Sequence, residues 1–428
     1  MTDAHTADIG TPEDSEPEAP EAIALLAPAD GVPALAVSVD EIRAAADTLA
    51  KGTGPFAIDA ERASGFRYSN RAYLVQIRRA GAGSVLIDPV NHGADPVATM
   101  APVAEVLARD EWVLHAADQD LPCLAELGMT PTQLYDTELA GRLAGFDRVN
   151  LAEMVRILLG LQLKKGHGAA DWSKRPLPAD WLNYAALDVE VLLELRAAIA
   201  GILDDQGKSE WAAQEFEHLR TVVPSPTRRD RWRRTSGIHK VRNQRTLAAV
   251  RELWTTRDRI ASRRDIAPGR ILPDAAIINA ATEDPDTVEK LTALPVFGGT
   301  RQRRSASTWL EALARARTTE DLPDASEPQA GPPPAARWVR RKPEAAARLE
   351  AARTGLSELS QRVSVPSENL LTPDTVRRLC WDWQPVDNTA EVIDAFLVDA
   401  GSRPWQRELT VPVLAEALKQ PVDEPELS

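Results

Sequence analysis

FAIDAE (residues 56–61), YLVQIRRA (73–80) and SVLIDPV (84–90) decide the fold of this chain. Each is a short run rich in apolar and β-branched residues, and the last two flank a Gly81-Ala82-Gly83 turn, so three neighbouring strands are expected. EWVLHAA (111–117) supplies a further strand, and several helix-like segments follow it. From Val37 to about Asp205 the alternation of strand and helix patterns gives an α/β unit. Within FAIDAE successive side chains alternate faces, so Phe56, Ile58 and Ala60 point one way while Ala57, Asp59 and Glu61 point the other. A strand rises roughly 3.3 Å per residue, which puts the backbones of Asp59 and Glu61 about 7 Å apart, close enough for both carboxylates to converge on one cation.

Two more acids stand out downstream. WVLHAADQDLPCLAEL (112–127) reads as a strand ending near His115 and a helix starting between Asp118 and Pro122, with Asp120 at the junction. Taken alone, Asp118 or Asp120 is expected to cap that helix, and His115 to pack at the strand end. In PADWLNYAALDVEVLLELRAAI (178–199), Trp181, Tyr184, Asp188, Val191 and Leu195 recur at helical spacing and form one stripe. An ionised Asp188 inside that stripe is costly unless it is paired or binds metal, and Tyr184, one turn earlier, projects to the same place. A buried ion pair with an arginine is the competing account of Asp188. The preceding loop LKKGHGAADWSKRP (163–176) brings Lys164, Lys165, His167, Trp172, Lys174 and Arg175 near this helix. These residues suit contacts to backbone phosphates or stacking on a terminal base, with a charged loop anchored by Trp172 as the alternative.

The rest of the chain sets the context. At 428 residues several domains are expected. Residues 1–36 carry 8 acidic and no basic side chains, are rich in proline, and read as a disordered extension. That acidic start opposes a secretory signal, and no apolar run approaches the roughly 20 residues needed to span a bilayer, so a cytoplasmic location away from membranes is expected. Cys123 and Cys380, far apart, support neither a disulfide framework nor a zinc site. The net charge of −14 hides an asymmetry: residues 37–205 hold 16 basic and 24 acidic side chains, whereas 227–317 hold 20 and 10, with Trp232, Trp254 and Trp309 interspersed. A basic helical module beside an acidic one suggests a nucleic-acid grip joined to a metal-binding site, although an arginine-rich solvated surface gives the same count. Residues 318–342 include the Pro-rich ASEPQAGPPPAA (325–336) and read as an extended linker. A last helical unit is expected over 343–419, and residues 318–428 carry 12 basic against 19 acidic side chains.

Each acid is a weak signal alone, but the ordered set Asp59-x-Glu61, Asp120, Tyr184-x-x-x-Asp188 resembles the three motifs of the DEDDy proofreading-type exonucleases. HAADQDLPCL (115–124), LKKGHGAADWSKRPLP (163–178) and YAALDVEVLLEL (184–195) are similar to the ribonuclease D family in particular. The resemblance implies a ribonuclease H-like sheet flanked by helices over 37–205 and a two-metal mechanism acting at the 3′ end of a strand. It makes Asp59, Glu61, Asp120 and Asp188 the metal ligands of two divalent cations, Mg²⁺ or Mn²⁺, and Tyr184 the residue that orients the attacking water. Lys165, His167, Trp172 and Arg175 are the candidate nucleic-acid contacts of the loop. Segment 234–281, with RDIAPGRILPDAAI (264–277), resembles an HRDC domain, placed at 227–317, and NLLTPDTVRRLCWDWQP (369–385) resembles a second, divergent HRDC-like bundle. The expected activity is 3′-to-5′ release of nucleoside 5′-monophosphates from RNA, transfer RNA precursors included, by a monomer. The alternatives are a DNA-preferring exonuclease, which the lack of a P-loop or helicase motif disfavours, and a catalytically silent nucleic-acid-binding scaffold.

Overall fold

The computed structural model of the protein describes residues 22–90, 95–164, 166–222, 230–325, 331–387 and 389–419. Among the described residues, eight strands lie in the first half of the chain: β1 (Ile23–Leu25), β2 (Leu35–Ala36), β3 (Thr53–Arg62), β4 (Ala72–Ala80), β5 (Gly83–Ile87), β6 (Trp112–Leu114), β7 (Leu134–Asp136) and β8 (Leu161–Leu163). Six of them form one sheet in the order β2-β5-β4-β3-β6-β7. The β3–β4 and β4–β5 pairs are antiparallel, whereas β6 pairs parallel with β3 and β7, and β2 parallel with β5, so the sheet is mixed. The tight β4–β5 link needs left-handed backbone at Gly81 and Gly83 (φ 77° and 74°), which glycine adopts without penalty.

Alternation along β3 sorts the two faces as its pattern predicts. Phe56, Ile58 and Ala60 enter a core with Ile42 and Leu49 of helix Val39–Leu49 and with Met100, Val103 and Leu107 of helix Pro96–Leu107. Ala57 enters a second core with Val189, Leu195 and Ile199 from the helices on the other face. The first unit is therefore a mixed sheet flanked by helices.

Residues 22–36 differ from the expected disordered extension. β1 adds to β8 in parallel and β2 extends the main sheet beyond β5, while Asn183 donates to the Leu26 carbonyl at 2.9 Å. Residues 1–21 of the extension lie outside the described residues.

The basic module is helical, built on Gln244–Arg264, Asp274–Glu283 and Ala306–Thr318 around its own core. Trp232 and Trp309 are buried in that core, so these two hold the module together and do not offer faces to bases, while the partly buried Trp254 packs against it. The final helices continue the second core of the first unit: Trp338, Leu349, Leu356 and Leu414 belong to the same apolar cluster as Val189 and Leu195. Trp211 stacks on Trp405 at 5.0 Å, and Glu215 accepts from Arg403 (2.6 Å) and Trp405 (2.8 Å). In the linker, the described residues 331–342 dock against this unit. Trp338 is fully buried, and Arg377 donates to the carbonyls of Pro332 and Pro333. Apolar burial around Trp338 overrides the extended preference of the prolines. Among the described residues, no helix is long and apolar enough to cross a membrane.

Candidate active site

β3 lies inside the sheet, and its site face carries Asp59 and Glu61 toward helix Ala179–Glu190. Asp59 stands opposite Gln76 of β4, whose Nε2 donates to Asp59 Oδ2 at 2.7 Å. Gln76 is fully buried and orients one of the acids. Sequence reasoning did not single it out, because its role follows from β-register and not from any motif.

Asp120 arrives by a different route. After β6 the chain turns through Ala116 in the left-handed conformation (φ 58°), passes through the 3-10 turn Ala117–Gln119 and enters helix Leu121–Ala125. The buried Asp136 holds that turn, accepting from the backbone amides of Ala116 (3.1 Å), Ala117 (2.8 Å), Glu138 (2.8 Å) and Leu139 (3.1 Å). Burial pushes the Asp136 carboxyl up to about 6 against those four hydrogen bonds. Asp120 occupies the N-cap position of helix Leu121–Ala125, but its side chain makes no capping bond. It lines the same cavity as Asp59, Glu61 and Asp188 and lies 3.2 Å from an Arg62 nitrogen, so it serves the cluster and not the helix end. His115 lines the same cavity and pairs its Nδ1 with Thr137 at 2.9 Å. Burial drives its pKa down to about 4, so it is neutral at pH 7.

Helix Ala179–Glu190 brings Tyr184 and Asp188 over β3, and Val191 breaks the expected continuous stripe before helix Leu192–Asp205 begins. Ligand oxygens of Asp59, Glu61 and Asp188 lie within 4.8 Å of one another. Tyr184 donates to the Asp188 carboxylate, and burial with the nearby carboxylates raises its pKa, keeping the phenol protonated. Burial and then the neighbouring carboxylates push Glu61 up to about 10 and Asp120 up to about 9, and burial raises Asp59 and Asp188 as well. The cavity holding these groups has a volume of about 610 Å³.

So many buried carboxylates cannot all stay ionised without positive charge among them. Their donors are hard oxygens with no thiolate or imidazole in the cluster, a set that fits a hard divalent cation.

The 163–176 loop departs from its expected role at two positions. Trp172 is fully buried, donates its indole N–H to the His167 carbonyl at 3.3 Å and packs 5.1 Å from Trp181, so it anchors the loop and cannot stack on a base. Arg175 grips the buried Asp88 with Nε (2.6 Å) and Nη2 (2.8 Å) and donates Nη1 to the Trp172 carbonyl, which commits it to the fold. His167 is 35% exposed, sits edge-on to Tyr184 at 5.8 Å and lies 3.3 Å from Asp180, so it remains at the cavity mouth. Lys164 lines the cavity, and Lys165 lies outside the described residues.

The basic module docks on the loop that follows these acids. Asp265 accepts from the Ser69 amide (2.8 Å) and the Tyr73 hydroxyl (3.3 Å), Asp258 from the Tyr68 hydroxyl (3.1 Å), and Arg270 donates to the Gly65 carbonyl (2.7 Å).

Comparisons with known proteins agree with this architecture. Residues 37–204 match a 3′-5′ exonuclease family model, 246–313 an HRDC domain, and 331–418 a 3′ to 5′ exonuclease C-terminal domain. The chain is 32% identical to a ribonuclease D of Gluconacetobacter diazotrophicus over 71% of this chain and 77% of that one. It is 32% identical to one of Acidiphilium cryptum over 70% and 75%. Among solved structures, a protein from Bifidobacterium adolescentis superposes with a TM-score of 0.84 at 35% identity, covering 94% of this chain and all (100%) of that one. Escherichia coli RNase D, described as an exoribonuclease involved in structured RNA processing, shares the fold with a TM-score of 0.64 at 23% identity over 90% and 98%.

Proposed function

This chain belongs to the ribonuclease D family and is a 3′-to-5′ exoribonuclease, and on that premise we propose that Asp59, Glu61, Asp120 and Asp188 are its metal ligands and Tyr184 its water-orienting residue. The convergence of three acid side chains within 4.8 Å, in a cavity that Asp120 also lines, carries this reading. Divalent cations held there supply a lowered pKa for the attacking water and charge neutralisation at the phosphate. The protein groups do the rest. Gln76 fixes Asp59, Asp136 fixes the turn that presents Asp120, and Asp188 is held by the Tyr184 hydroxyl. A phenol held protonated cannot take a proton from water, so Tyr184, its O–H turned to Asp188, orients the water through its oxygen lone pairs.

The finer reading is that the substrates are RNAs with free 3′ ends, transfer RNA precursors among them, that the cations are Mg²⁺ or Mn²⁺, and that one chain works alone in the cytoplasm. The basic helical module would hold the RNA upstream of its end through phosphate contacts that read no sequence. Matched RNA and DNA hairpins with 3′ tails, incubated with the wild type and with Asp59→Ala, test this. Shortening of the RNA that is lost in Asp59→Ala supports it. Preferential shortening of the DNA would replace it with the DNA-exonuclease reading, and binding without shortening would leave only a scaffold.

A further inference from the structure

β3 ends at Arg62, one residue beyond the acidic pair. Past Glu61 the β3–β4 register shifts, Arg62 pairing with Ala72, so plain alternation no longer places its side chain. The guanidinium reaches the cavity wall, where Nη1 lies 3.2 Å from Asp120 Oδ1 and the side chain is only 19% exposed. Ordering a long arginine beside metal-binding acids costs conformational entropy and opposes cation uptake, so it needs a compensating role. Asp120 does not fully engage it: Oδ1 is buried and accepts no hydrogen bond, so the contact is an ion pair at its edge. Arg142, in the same cavity, is by contrast committed to Glu138 through two nitrogens. Lys164 offers a point charge without a planar fork.

We propose that Arg62 is a substrate ligand that binds the phosphate of the 3′-terminal RNA linkage as it enters among the carboxylates. The inference rests on reading those acids as the nuclease site. A phosphodiester approaching four acids is repelled, and a guanidinium on the Asp120 side presents paired donors to its non-bridging oxygens. In the hydrolysis, the water oxygen bonds to phosphorus, the P–O3′ bond breaks and the departing 3′-oxygen takes up a proton. Arg62 keeps its own proton throughout and stabilises the charge that builds on the phosphoryl oxygens.

Full-length wild type, Arg62→Ala and Arg62→Lys, each at saturating Mn²⁺ with a 3′-tailed RNA, test the assignment. For Arg62→Ala a kcat loss of roughly 100- to 1,000-fold is expected, the size seen when one preorganised donor to a developing oxyanion is removed. Lysine should restore only part of it, because it supplies charge without the fork. Guanidinium chloride at non-denaturing concentration should raise the activity of Arg62→Ala and leave Arg62→Lys unmoved. Mn²⁺ affinity measured by electron paramagnetic resonance without RNA should be unchanged or tighter in Arg62→Ala, since one positive charge has gone. Weaker Mn²⁺ binding in step with the activity loss would overturn the inference, because Arg62 would then act only by placing Asp120. An Arg62→Ala enzyme as active as an active wild type would overturn it alone, whereas a wild type that leaves RNA intact overturns the nuclease reading and this inference with it.

Discussion

Replacing Gly166 by alanine tests whether Tyr184 must sit where the structure puts it. A Cβ at Gly166 would fall 1.9 Å from Tyr184 Cδ2, 2.1 Å from Cε2 and 2.8 Å from Cγ. Carbon atoms need about 3.5 Å, so the loop and the ring must separate by about 1.5 Å. The ring carries the hydroxyl that donates to Asp188, and the Cγ contact means that rotating the ring's far end cannot relieve the clash. Misplacing a catalytic group by about 1 Å costs on the order of 100-fold, equivalent to about 2.7 kcal/mol of activation free energy. Gly168 is the control, because its added Cβ would meet the Tyr184 hydroxyl oxygen at 3.6 Å, an ordinary contact. The assay is the single-turnover rate of nucleotide release from a 3′-tailed RNA, with thermal unfolding measured in parallel. Gly166→Ala should lose about 100-fold with its fold intact, and Gly168→Ala should stay within about threefold of wild type. Gly166→Ala at wild-type rate, or equal losses at both positions, would refute the argument.

Three further outcomes follow from single residues. Asp136→Ala strands four backbone amides around the Ala116 turn, and chemical denaturation should show a loss of about 2–4 kcal/mol; a loss below about 1 kcal/mol would mean that water replaces the carboxylate. His115, held near 4 by burial, binds a proton more readily unfolded than folded, so its contribution is full above about pH 6.5 and is lost as pH falls toward 4. Between pH 7 and 5 the wild type should therefore lose about 2 kcal/mol more stability than His115→Gln, and parallel curves for the two would contradict the burial assignment. Asp265→Ala removes the acceptor for Ser69 and Tyr73 and should loosen the basic module from the 63–71 loop, raising KM for long tailed RNA more than for a dinucleotide; equal effects on both substrates would place its influence in the active site itself.

Much of the site is legible because strand and helix periods are local. Period 2 puts Asp59 and Glu61 on one face, and the one-turn spacing pairs Tyr184 with Asp188. What escapes depends on contacts between distant segments. Gln76 matters only once β3 and β4 are in register, and Asp120 faces the cluster because Asp136, 16 residues later, holds the preceding turn. Trp172 and Arg175 look like ligands by composition, but the apolar surface around Trp181 and the buried charge of Asp88 claim them. β1 and β2, three and two residues long, are too short for any periodicity to register. Asp265 and Ser69, 196 positions apart, carry no local sign that they meet.

The central claim, cation-dependent exonucleolytic attack from the 3′ end, is tested most directly by following a 5′-labelled RNA hairpin with a 3′ tail over time, with Mg²⁺ or with EDTA. The account predicts a ladder that shortens one nucleotide at a time and release of nucleoside 5′-monophosphates with Mg²⁺, and an unchanged band with EDTA. Internal fragments without a ladder, or shortening that persists in EDTA, would contradict it.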